Sequence, residues 1–192
     1  MGRSMEHQEL IQRILGGDSR AFGQLVEHYR HMVFTVCMRV LRDREDAEEA
    51  AQDAFVKAFQ NLQRFAGQSK FSTWLYTIAY RCAVTRGRRR KPATQPLDEV
   101  NAEHQSGAGM AGNPQEELQH HLSRALGRLS PEDASILSLY HLEEQSVEEI
   151  VTITGLGASN VKVRLMRARR KLETVLRAEL GDEAEALLLK DG

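Results

Sequence analysis

Cysteine is nearly missing from this chain: Cys37 and Cys82 are the only two among 192 residues. They stand far apart without a Cys-x-x-Cys spacing, which excludes a disulfide framework or a zinc ribbon and predicts two buried thiols. No apolar run approaches the roughly 20 residues that cross a bilayer. The opening stretch MGRSMEHQEL has none of the apolar core of a secretory signal, so a cytoplasmic protein without membrane insertion is expected. Paired carboxylates beside a histidine, a glycine-rich phosphate loop and metal-ligand spacings are all missing. No enzymatic activity, cofactor or metal is therefore expected. A net charge of one sign is missing as well: 26 basic against 27 acidic residues leave −1.

What the chain does have is segregation of that charge. Arg81 to Lys91 and Lys162 to Lys171 each carry six positive charges and no acid, which points to two contacts with a polyanion. The second run lies in Ala158 to Leu172, ASNVKVRLMRARRKL, where Val161, Leu165, Ala168 and Leu172 recur at helical spacing and predict one buried stripe. Stepping 100° per residue from Val161 puts Ser159, Val163, Met166 and Arg170 on the opposite face, flanked by Lys162 and Arg167, with Asn160 at the helix start. Val163 and Met166 are apolar yet outward, which a merely solvated helix does not require. Before it, Ser146 caps a short helix carrying Val147, Ile150, Val151 and Ile153, and Gly155-Leu156-Gly157 makes the turn. Helix, glycine-bearing turn and basic helix together form a helix-turn-helix pattern.

Earlier in the chain, Glu6 to Leu15 predicts a short helix, and Asp18 or Ser19 caps a longer one with an apolar stripe from Phe22 to Leu41. Asp43 caps a third helix to about Leu62, with Ala47, Ala50, Ala51, Ala54, Phe55 and Ala58 inward. Its first turns hold Asp43, Glu45, Asp46, Glu48, Glu49 and Asp53 against Arg44 alone. The helix dipole favours acids there by about 0.3–1 kcal/mol each, which accounts for part of the cluster but less well for the outward Gln52, Asp53 and Val56. Phe65 to Lys70 reads as a loop. A helix from Ser72 or Thr73 to about Arg88 then buries Phe71, Trp74, Leu75, Ile78, Ala79 and Cys82 and turns Thr73, Tyr76, Thr77, Tyr80 and Arg81 outward. Rings beside cations suit single-stranded nucleic acid; tyrosines packed against a neighbouring helix are the plainer alternative.

Residues 92–114 have no apolar period and are rich in Pro, Gly, Ala, Ser and Gln, so they read as a linker. Its 23 residues reach about 75 Å when extended, close to two turns of B-DNA at about 34 Å each. The expected organisation is all-α: a helical domain over 1–91, the linker, a second helical domain with the helix-turn-helix over 115–180, and an acidic-apolar tail over 181–192. On the residues alone, a helix-turn-helix repressor acting without polymerase also accommodates the second domain; the acidic helix and the aromatic-basic face argue against it.

Five stretches in order, GDSRAFGQLVEHY, DREDAEEAAQDAFVKAF, FSTWLYTIAYR, LSPEDASILSLYHLEEQSVEEI and GASNVKVRLMRARRKL, resemble the extracytoplasmic-function (ECF, group IV) sigma factors of bacterial RNA polymerase from about Glu9 to Leu176. The resemblance implies two helical domains that bring core polymerase to promoters and open them, without catalysis by this chain. Carried over residue by residue, it implies polymerase docking through Asp46, Glu49, Gln52 and Asp53, with Val56 beside them and Phe55 as support. It implies minus-ten contacts from Gln68, Ser69 and Lys70 on the loop and Tyr76, Tyr80, Arg81 and Arg88 on the helix. Minus-thirty-five reading falls to Ser159, Asn160, Lys162, Val163, Met166, Arg167 and Arg170. Core polymerase, promoter DNA and an anti-sigma factor are the implied partners, and a stress or envelope regulon the implied target. The chain departs from the family at Arg81, where many members carry Asn, and at Ala158-Ser159, where Pro-Glu or Val-Gly is more usual.

Overall fold

The computed structural model describes residues 2–90 and 114–180, which form helices and turns. Lys91, the stretch expected as linker up to its last residue, and the tail over 181–192 lie outside the described residues.

Helix α1 (Gly2–Leu15) starts earlier than its apolar pattern predicts and ends at Gly16-Gly17. Asp18 rather than Ser19 satisfies the start of α2 (Arg20–Leu41): its Oδ1 accepts the Ala21 N–H at 3.3 Å, and the Ser19 side chain makes no capping bond. Asp43 caps α3 (Arg44–Asn61) as expected, accepting the Asp46 N–H at 3.0 Å. Ala47, Ala50, Ala51, Ala54 and Ala58 are buried along one face of α3. Side chains this small let the α3 backbone pack closely against both α2 and α4 (Phe71–Arg90). Leu25, Val33, Cys37, Leu75 and Ala79 complete that core.

Both cysteines are free and buried. Burial, with a smaller contribution from nearby Cys82, pushes the Cys37 thiol up to about 12. A thiol held neutral is a poor nucleophile. The native protein at pH 8 is expected to leave Cys37 unalkylated by iodoacetamide, with reaction appearing only on unfolding; peptide mass mapping reads this directly.

The second domain comprises α5 (Pro114–Gly127), α6 (Pro131–His141), α7 (Val147–Thr154) and α8 (Ala158–Leu180). Pro131 fits the first turn of α6, where no N–H is required, and Ser130 accepts from the Asp133 N–H. Ser146 and Glu149 form a reciprocal capping box at α7. Gly155 closes α7 in the left-handed region, at φ 76°, where a β-carbon would be strained. Ile136, Leu139, Ile150, Ile153, Val161 and Leu165 are buried together, so α6, α7 and α8 share one core.

The two domains touch. α4 packs on α7 and α2 on α6, and the buried apolar cluster runs through both domains. The Arg42 guanidinium, on the residue that ends α2 at φ 56°, donates to the Leu129 carbonyl between α5 and α6.

Candidate polymerase and nucleic-acid interfaces

The seven residues expected to read duplex DNA share one exposed face. Ser159, Asn160, Lys162, Val163, Met166, Arg167 and Arg170 are all exposed on the N-terminal half of α8, opposite buried Val161, Leu165 and Ala168. Two other cations of the run, Arg164 and Arg169, are engaged within the chain. Arg164 bridges to Glu132 at 2.6 Å and Asp133 at 2.8 Å, tying α8 to the start of α6. Arg169 lies 4.9 Å from the centre of the Tyr140 ring and donates to His141 Nε2 at 3.1 Å. Helical periodicity separates the outward cations from these two, because reach to α6 requires the α8 face beside the core.

The acidic start of α3 divides in a similar way. Asp46 receives Arg86 at 2.7 Å and also Arg90, while Glu49 receives Arg86 at 2.5 Å and Asp43 receives Arg90 at 3.0 Å. The backbone N–H of Asp46 first, and then Arg90, hold the Asp43 carboxyl below the usual carboxylate range. Asp46 and Glu49 are therefore engaged within the chain, and the C-terminal part of the first basic run is partly neutralised by α3. Gln52 and Asp53 stay exposed, as does Val56 at 55 %. Phe59, which sequence reasoning passed over, joins them at 45 % exposure with its ring edge-on to Phe22 at 5.0 Å. Its signal was available: Phe59 follows Gln52 and Val56 at intervals that keep one helical face. Phe55 is only partly buried, consistent with a supporting position.

On α4 the expected strand-binding residues separate. Gln68, Ser69 and Lys70 are exposed on the loop, as are Arg81 and Arg88 on the helix. Tyr76 and Tyr80 are 2 % and 8 % exposed, covered by the second domain, as in the plainer alternative for these rings. The open face of α4 carries Trp74, Ile78, Arg81 and Thr85, which with Lys57, Asn61 and Arg64 line a groove between α3 and α4 that has buried Cys82 at its base. Three cations and no acid line this groove. Trp74 was expected in the core; it is half-buried, backed by Phe65 at 5.3 Å and Phe71 at 5.6 Å, and borders the groove. Spacing with Phe71 and Ile78 disguised it as core, since an aromatic supported from behind and open in front follows the same periodicity as a buried one. Two cations that border it, Lys57 of α3 and Arg64 just beyond its end, lie outside both basic runs. Among the described residues no group of His, Cys, Asp and Glu is placed to hold a metal ion, and no helix is long and apolar enough to cross a membrane.

This arrangement has counterparts of known family. Residues 25–92 match Sigma-70 region 2 and residues 120–172 match Sigma-70 region 4. The chain is 34% identical over 186 residues to the ECF RNA polymerase sigma-E factor of Escherichia coli K12, covering 90% of this chain and 95% of that protein. The chain belongs to the ECF RNA polymerase sigma factors. Similarity to the RNA polymerase sigma-H factor of Pseudomonas aeruginosa agrees, at 31% over 183 residues, covering 89% of this chain and 94% of the relative. The fold of this sigma factor resembles that of CnrH in complex with the cytosolic domain of CnrY, at a TM-score of 0.62 and 24% identity over 88% of this chain and 96% of that one. It also resembles the sigma factor RpoE in complex with the anti-sigma factor NepR from Bartonella quintana, at a TM-score of 0.60 and 24% identity over 81% and 96%. Within this sigma factor, region 2 supplies the acidic α3 face and the α3–α4 groove, and region 4 supplies the helix-turn-helix.

Proposed function

We propose that this sigma factor directs bacterial core RNA polymerase to specific promoters in the cytoplasm, docking through α3 and gripping the DNA at two separated places. Gln52, Asp53, Val56 and Phe59 form the docking surface. Asp46 and Glu49 contribute through the ion pairs that fix α3 against the end of α4. The α3–α4 groove takes the opened minus-ten strand, with Trp74 as stacking platform and Lys57, Arg64 and Arg81 following the backbone. The loop residues Gln68, Ser69 and Lys70 border its entrance, and Arg88 extends the cationic path along α4. Tyr76 and Tyr80 join the strand contacts only in a conformation that uncovers them. On α8, Lys162, Arg167 and Arg170 meet phosphates or base edges, Ser159 and Asn160 bond in the groove, and Val163 and Met166 make apolar contacts. The domains divide at the linker over 92–114, and the work is binding and strand opening without covalent chemistry by this chain.

The observation that carries this reading is the presence of two cationic surfaces on separate domains, one a duplex-reading helix and the other a groove with a braced indole. A repressor needs only the first. Control by an anti-sigma factor and a stress or envelope regulon belong to the same proposal; the fold relatives CnrH and RpoE are each held in complex with another protein.

Arg167→Ala tests the division of labour. It is expected to weaken binding to the minus-thirty-five element of a promoter, found by transcript mapping after overexpression, by about 1–3 kcal/mol. Affinity for core polymerase should stay unchanged. Equal loss of both would make the helix structural and refute its reading role.

A further inference from the structure

Of the two cysteines, Cys82 is the one that meets an amine. Lys57, exposed on α3, directs its Nζ onto the Cys82 Sγ of α4 at 3.4 Å. Among the described residues no carboxylate pairs with Lys57, and no acid lines the groove that both residues border. That groove holds about 390 Å³, whereas a water molecule takes roughly 30 Å³. A solute as small as hydrogen peroxide therefore has a path along the groove to Cys82, although the residue as a whole is 6 % exposed.

Cys37 has neither feature. It lies fully inside the core, where its thiol donates to the Ala79 carbonyl at 3.8 Å. Oxidation selects thiols that stand beside a cation and within reach of solvent. By both criteria Cys82 is the oxidisable thiol of this chain.

We propose that Cys82 and Lys57 form a redox-sensitive pair, in which peroxide joins α4 to α3 through a reversible sulfur–nitrogen bond. The Cys82 sulfur attacks one peroxide oxygen and the O–O bond breaks, giving sulfenic acid and water. Lys57 sheds its ammonium proton, and its nitrogen attacks the oxidised sulfur. The S–O bond then breaks, the hydroxyl leaves as water with a hydrogen from nitrogen, and a sulfenamide remains. Sulfur gives up two electrons and peroxide accepts them. One thiol, one ammonium and one peroxide thus become one sulfenamide, two waters and one proton. Even a backbone nitrogen can close on a sulfenic acid in this way, and an amine is the stronger nucleophile.

The bond itself rests on the geometry above; its consequence rests on the function proposed for the chain. The join removes the charge of Lys57 and ties its side chain across the groove. The strand site then loses one of its three cations, Lys57, Arg64 and Arg81, and promoter opening falls under oxidising conditions.

The test uses the full chain, reduced and then treated with hydrogen peroxide, which is removed before polymerase is added. Peptide mass mapping is expected to find the Lys57 and Cys82 peptides joined, two hydrogens lighter than the separate pair, and parted again by dithiothreitol. In Lys57→Arg, which keeps the charge but not the amine, the join should vanish and dimedone should trap Cys82 as its sulfenic acid. Helix content by circular dichroism checks that the variants fold, and oxidation of exposed Met166 shows that the peroxide dose sufficed. Cys82 left unoxidised beside oxidised Met166 would overturn the pair, as would a lasting sulfenic acid or a Cys37–Cys82 disulfide with Lys57 in place.

Opening is read by 2-aminopurine fluorescence in the minus-ten element. Relative to its own reduced form, the oxidised chain should lose about fivefold or more, recovered with dithiothreitol, while polymerase pull-down is unchanged. Cys82→Ala should show no loss on oxidation, and an equal loss there would refute the pair as the cause. A join that leaves opening unchanged in a chain that binds polymerase would keep the bond and refute the groove as strand site. A chain that binds no polymerase, yet joins the two peptides, would refute the proposed function and leave the pair.

Discussion

Replacing Trp74 with alanine is expected to reduce promoter opening by roughly 5- to 150-fold, the equivalent of about 1–3 kcal/mol for one stacked base. The indole is held by Phe65 and Phe71 on the loop and first turn of α4, and those rings in turn meet each other at 5.6 Å. Such a platform is already ordered, so a base stacking on it does not have to immobilise the ring. Lys57, Arg64 and Arg81 surround it with positive charge that attracts the strand backbone. Trp74→Phe should recover most of the activity because it keeps a π-face, whereas Trp74→Leu should not. Permanganate reactivity of minus-ten thymines in the polymerase complex reads opening directly. If Trp74→Ala left that reactivity unchanged while the complex assembled normally, the α3–α4 groove would not be the strand site.

Asp53→Arg is expected to lower core polymerase affinity by on the order of 2 kcal/mol or more, since like charges brought together at an interface cost several kcal/mol. Asp53 is exposed, and among the described residues no ion pair engages it. Reversal should therefore leave the folding midpoint almost unchanged, as surface substitutions usually do. Asp46→Arg would be a poor substitute, because Asp46 holds Arg86 and Arg90 and its loss would disturb the α3–α4 junction. Pull-down of core subunits by the Asp53 variant, beside intact binding of its region 4 to promoter duplex, is the measurement. Unchanged polymerase affinity would remove α3 from the docking surface.

The helices were legible in the sequence because their caps and stripes are local. Asp43 and Ser146 each cap the helix whose start they mark, and the buried residues of α2, α3 and α8 follow the 3.6 period. The exposed face of α8 was legible for the same reason. Contacts between distant residues were less so. Nothing in the run Arg81 to Lys91 announces that Arg86 and Arg90 reach back to Asp43, Asp46 and Glu49. Trp74 could not be separated from the core stripe by spacing, since that depends on the position of α3. Tyr76 meets Tyr29 of α2 on one side and Glu143 of region 4 on the other, and region 4 is joined through a stretch that carries no periodic signal.

The central claim is that this chain confers promoter specificity on polymerase. It is tested most directly by run-off transcription with purified bacterial core polymerase on a library of promoter fragments, with and without the purified chain. The account predicts discrete transcripts that appear only when the chain is present and that fall sharply with Trp74→Ala, Asp53→Arg and Arg167→Ala. No chain-dependent transcript from any fragment, together with failure to co-purify with core polymerase, would contradict it.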